Sequence, residues 1–181
     1  MLRSHGVFMN KLLRAFVQIA TLKLGPEDLP ASGFLLGLVT AAYLLTGAAS
    51  VAFYTSSAGE AALQLAVDLC LTFGFFTLLL VLYRKAHRLL QTLTALLGTG
   101  VLLSLIALPL TAWLQALDMS AAEGAPIPAV GIYLIVLWSI AVTGHILHRA
   151  LEIPFVGGLV IGVAYFVLNL ATFAKLFPAE A

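Results

Sequence analysis

Charge is what this chain has least of. Only 9% of its 181 residues are Asp, Glu, Lys or Arg, where a soluble domain carries roughly a quarter. A soluble fold of this length could not keep the 62% hydrophobic share away from water. Cysteine is nearly absent as well, and the lone Cys70 excludes an internal disulfide. A net charge of +1 supplies no basic face for nucleic acid. The chain also has no Cys pairs for zinc or iron–sulfur and no phosphate-cradling loop ending in Lys-Ser or Lys-Thr. No serine sits in a nucleophile elbow. These absences predict a protein that is not an enzyme and takes no cofactor or metal.

What is present is hydrocarbon in long runs. A bilayer core of roughly 30 Å needs about 20 mostly apolar residues in a helix. Five stretches meet that length, at 33–54, 61–83, 93–115, 129–147 and 155–177. They are too long for the roughly 10-residue strands of a membrane barrel. The expected fold is all-α, a five-helix transmembrane bundle over 33–177 with short connections.

Orientation follows from the basic residues, which gather on the cytoplasmic side of membrane proteins. Arg3, Lys11, Arg14 and Lys23 precede the first span, Arg84, Lys85 and Arg88 follow the second, and Arg149 follows the fourth. All eight fall on one side, with Lys175 alone near the other. The opposite loops hold Glu60, Asp118 and Glu123 and no base. The N-terminus is expected in the cytoplasm and the C-terminus in the periplasm.

The first 30 residues lack the apolar core and small-residue site of a cleavable signal. Over 8–24, Lys11, Arg14, Gln18 and Thr21 recur every three or four positions, with Phe8, Leu12, Phe16, Ile19 and Ala20 on the other side. That pattern predicts a basic amphipathic helix lying along the headgroup layer. Gly25, Pro26 and Pro30 are expected to end it.

Asp68 is the costliest residue in the chain, since translocon scales charge roughly 2.5 to 3.5 kcal/mol for Asp at a helix centre. Glu60, Gln64, Asp68 and Thr72 stand four apart and form one polar seam that must face other helices. At 1.5 Å per residue, Asp68 is expected about 10 Å and Asn169 about 12 Å below the same end of the bundle. Thr46, Ser50 and Thr111 belong to the same half, and Pro109 frees the carbonyl of Leu105 there. The expectation is a polar cluster of Asp68, Gln64, Thr72, Asn169 and Thr111. Interhelical hydrogen bonding, a proton or ion path, and a ligand site are the three readings of it.

A second cluster is the turn before the last span, where His145, His148, Arg149 and Glu152 lie within eight residues. Imidazoles and a carboxylate could ligate a metal, but no HExxH or Cys pattern accompanies them. Polar side chains seated at the interface, with Arg149 reaching for lipid phosphate, are the simpler reading. Gly33 with Gly37, and Gly158 with Gly162, are small-xxx-small pairs that let helices approach within the bundle or between copies.

Trp138-Ser139-Ile140-Ala141-Val142 leads to Gly144-His145-Ile146-Leu147-His148-Arg149-Ala150-Leu151, and Gly25-Pro26-Glu27-Asp28-Leu29-Pro30 approaches the first span. With five spans and a cytoplasmic N-terminus, these segments resemble the Yip family, the Ypt/Rab-interacting membrane proteins, in its small bacterial members. The resemblance implies a bacterial inner-membrane protein without catalytic residues. The expected role is a scaffold, assembly factor or accessory subunit. Its partners would be the lipid bilayer and other membrane proteins or further copies of itself. The alternative is a transporter or channel component with a polar path around Asp68 and Asn169.

Overall fold

Ser32 and Ser57 set where the first two spanning helices begin: their hydroxyls accept from the backbone N–H groups of Leu35 and Glu60, both at 3.3 Å. The computed structural model describes residues 2–55, 57–117 and 126–178, with side chains from Asn10 onward. Asp118 and Glu123, two of the acidic loop residues, and the side chain of Phe8 lie outside the described residues. The helices are α1 (Leu2–Ala20), α2 (Gly33–Val51), α3 (Ala58–Leu82), α4 (Leu89–Ala116), α5 (Ile127–Leu151) and α6 (Phe155–Leu176). Helices α2 to α6 are each long and apolar enough to cross a membrane. The chain is an integral membrane protein.

The helix bounds depart from the expected spans at caps. Helix α3 starts three residues early, at the Ser57 cap, and α5 runs four residues further, to Leu151. Arg88 permits that extension by donating to the carbonyls of Arg149, at 2.9 Å, and Ala150, at 3.4 Å. Those are C-terminal carbonyls that no helical N–H reaches.

Helix α4 is the centre. Helices α1, α2 and α5 pack along it, α6 packs on α5, and α3 touches α2, α4 and α6. The best-buried part of α4 is its first half, from Thr92 to Thr99. Three threonines are buried there because each hydroxyl donates back to its own helix, Thr92 to Arg88, Thr94 to Leu90 and Thr99 to Ala95. The core therefore sits toward the end that carries Arg84, Lys85, Arg88 and Arg149, hereafter the basic end.

Helix α1 is present but differs in placement from a helix lying flat. It packs on α4 and α5, with Phe16 and Ile19 in a core cluster beside Leu35, Val39, Ala95 and Val142. The Phe16 ring covers Gly98, where a side chain would collide with it. The indole N–H of Trp138 donates to the Ala20 carbonyl at 2.9 Å. Trp138 stands thirteen residues before the end of α5, about 20 Å at the helical rise. Helix α1 thus descends from the basic end to the middle of the bundle. The chain then climbs back, its Leu24 carbonyl meeting His145 and its Glu27 carboxylate pairing with Arg149.

Gly25 and Pro26 do not end α1. Leu22 does, with φ of 61°, while Lys23 N–H bonds to Gln18 carbonyl and Leu22 N–H to Ile19 carbonyl. This is a Schellman cap with leucine at the position glycine usually takes. Pro26 instead opens a short 3-10 turn over Pro26–Asp28 at the basic end.

The two glycine pairs separate. Gly158 and Gly162 face α5, where a Cβ on Gly158 would stand 2.8 Å from the His148 nitrogen and one on Gly162 3.2 Å from the Ile140 carbonyl oxygen. Gly144 answers from α5, with a Cβ there 2.8 Å from the Leu159 Cα. Among the described residues, a Cβ at Gly33 or Gly37 would meet nothing within 4 Å, so the close approach within the bundle expected of that pair is not made. They lie on the outward face of α2. Gly158→Ala is expected to lower stability by about 1–3 kcal/mol, because backbone must shift to admit the methyl group. Gly37→Ala should leave stability equal or raise it by about 0.5–1 kcal/mol. Unfolding in mixed micelles with increasing SDS measures both.

Candidate functional site

Asp68 stands ten residues past Ala58 in α3, about 15 Å along the helix. That is deeper than expected, because the Ser57 cap starts the helix early. Its two carboxylate oxygens bond to two different helices. The Tyr43 hydroxyl of α2 donates to Oδ2 at 2.6 Å, and the Asn169 amide of α6 donates to Oδ1 at 3.0 Å. Such charge-assisted bonds offset the cost of taking a carboxylate out of water.

One turn further along α3, Thr72 makes a second rung. Its hydroxyl donates to the Asp68 carbonyl at 2.8 Å and lies 2.8 Å from the Tyr165 hydroxyl of α6. A threonine has one hydroxyl proton, and the carbonyl takes it, so Tyr165 donates. Helices α3 and α6 are antiparallel, so Asp68 and Thr72 meet Asn169 and Tyr165 in reverse order, each pair four residues apart. Below these rungs the Phe75, Phe76 and Tyr165 rings pack together, with centroids 4.7 to 5.2 Å apart. The polar seam stops there.

On the other side of Asp68 it stays open. A cavity of about 220 Å³ is lined by Tyr43, Ser50, Gln64, Asp68, Ser104 and Phe173. Gln64 also borders a larger cavity of about 870 Å³ at the far end, shared with Glu60 and Phe177. Gln64 donates to Glu60 at 3.1 Å and makes no direct bond to Asp68. Thr111 is buried on α4 but donates to its own Ala107 carbonyl, so it stands apart from the Asp68 bonds. Thr46 and Ser50 likewise bond back within α2.

Two residues of the cluster escaped sequence reasoning. Tyr43 and Tyr165 read as apolar bulk within apolar runs. The usable signal was the hydroxyl itself, since a tyrosine buried in such a run needs a hydrogen-bond partner.

At the basic end the four expected residues diverge. His145 Nε2–H donates to the Leu24 carbonyl at 2.9 Å, and His148 Nδ1–H to the Ile153 carbonyl. A carbonyl can only accept, which assigns the proton in each ring. Arg149 pairs with Glu27. Glu152 accepts from Lys85 at 2.5 Å and from Arg88 at 2.6 Å, and the Lys85 bond and charge, then Arg88, hold its carboxyl below the ordinary range. Glu152 itself has φ of 58° as the cap of α5, which aims its carboxylate back toward the turn after α3.

Asp68→Ala would leave the Tyr43 hydroxyl and the Asn169 amide without an acceptor, a loss of about 1–3 kcal/mol. Asp68→Asn should lose less than half of that, since its amide oxygen still accepts from Asn169 and Tyr43 can turn to accept. Equal stability of wild type and Asp68→Ala in an SDS titration would show that the rung holds nothing. For Glu152, a lowered folded pKa means that its ion pairs stabilise at pH above the unfolded carboxyl value of about 4.3. That contribution is lost as pH falls through the lower folded value. Thermal unfolding in detergent should weaken over this range for wild type and change less for Glu152→Gln.

Compared with protein-family models, curated proteins and solved structures, the chain matches none.

Proposed function

We propose that this chain is a non-catalytic scaffold, assembly factor or accessory subunit of a bacterial inner membrane, as its resemblance to small Yip-family members implies. The basic end faces the cytoplasm in this reading, following the side preference of Lys and Arg. One observation carries the proposal: both carboxylate oxygens of Asp68 are engaged in bonds that tie α3 to α2 and α6. The membrane carboxylate is then part of the frame. Exposed Arg84 and His87 at the turn after α3, with exposed Lys11 on α1, would meet the partner.

A second reading rests on the 220 Å³ cavity that reaches Asp68 from the far end. A transport component would use Asp68 as a proton or cation station, with the aromatic layer below as the closed gate. Proton flux into proteoliposomes under an imposed potential separates the two. The scaffold reading expects flux equal to that of empty liposomes, together with a protein that co-purifies in mild detergent and is lost in Arg84→Glu. Flux that Asp68→Asn abolishes without lowering protein content would replace it with the transport reading.

A further inference from the structure

Where α1 ends, a groove of about 640 Å³ opens on the flank of the bundle. Val17 and Thr21 form one wall, Leu102 and Ile106 of α4 the floor, and Leu134 and Trp138 of α5 the other wall. Two polar groups border it, and both are already bonded. The Thr21 hydroxyl donates to the Val17 carbonyl at 2.9 Å, and the Trp138 indole N–H donates to Ala20. With no donor left over, the groove offers a ligand only hydrocarbon contact. Its volume holds about twenty groups the size of a water molecule, which is the scale of one fatty acyl chain.

Charge stands at the upper end of the same face. Arg14 lies three residues before Val17 and seven before Thr21, so all three fall on one side of α1 and of the capping turn that continues it. Arg14 is exposed. Among the described residues neither it, nor Lys11, nor Lys23 has a carboxylate partner. The bases at the other end of the turn, Lys85, Arg88 and Arg149, are all paired. A free guanidinium one helical turn above a dry groove matches a phosphate joined to an acyl chain.

We propose that this groove holds one acyl chain of an anionic phospholipid, with Arg14 binding its headgroup phosphate. The site does not depend on whether the chain acts as a scaffold or a transporter. The lipid would lie between α1 and α5 and brace the descending helix from outside.

Trp138 makes the site observable, because the only other tryptophan is Trp113. In a Trp113→Phe background, Trp138 fluorescence is followed in phosphatidylcholine vesicles containing a minor share of brominated-chain lipid. Brominated phosphatidylglycerol should occupy the site about fivefold more effectively than brominated phosphatidylcholine, the ratio expected from about 1 kcal/mol per basic residue. Arg14→Gln should remove that preference, whereas Arg84→Gln should keep it. Ile106→Phe, which fills the floor, should reduce quenching by both lipids. Equal quenching by the two lipids, or a preference that survives Arg14→Gln, overturns the proposal. So does shielding of Trp138 from both, which would mean that a protein helix occupies the groove.

Discussion

A backbone carbonyl inside a bilayer has no water to bond to, so irregular chain at that depth survives only where protein supplies donors. The segment that climbs from Ala20 to the turn at the basic end is such a chain, and side chains of α4 and α5 meet its needs. Trp138 serves Ala20, His145 serves Leu24, and Gln91 serves Leu29 at 2.7 Å. Trp138, His145 and Arg149 stand seven and four residues apart on α5, a spacing that keeps them on one face. That face follows the chain as it returns from the middle of the bundle to the basic end. Leu29, nearly fully buried, closes the path.

The same requirement explains how α3 is seated. Lipid tails are as apolar as leucine, so helices gain little from hydrophobic burial against one another, and contact relies on shape and polar bonds. Helix α5 holds α6 by shape, through Gly144, Gly158 and Gly162. Helix α3 buries only Thr72, Phe76 and Leu80. Its position comes from the Asp68 and Thr72 rungs and from the ring cluster beneath them. Among the described residues, no buried side-chain nitrogen or oxygen lacks a partner, which is what a bundle organised by polar bonds requires.

At the basic end, charge does for loops what the rungs do for helices. Glu152 draws Lys85 and Arg88 together, and Arg88 caps α5 with its remaining donors. Arg149 fixes Glu27 at the head of α2's approach. Three separate turns are thereby joined at one surface. Arg149 was expected to reach for lipid phosphate; the nearby carboxylate takes it instead, because a fixed partner costs less ordering than a mobile headgroup.

The amino-acid sequence by itself determined the class, the five spans, and the pairing of Asp68 with Asn169. Each follows from length, local chemistry or the rise of a helix, which are properties of one segment at a time. Only tertiary structure decided that α1 descends between its neighbours, because an amphipathic face fits a protein groove as well as a lipid surface. It also decided that Tyr43 and Tyr165 complete the cluster while Thr111 stands apart. Helix rotation selects those neighbours, and rotation is set by the facing helices rather than by the segment's own residues.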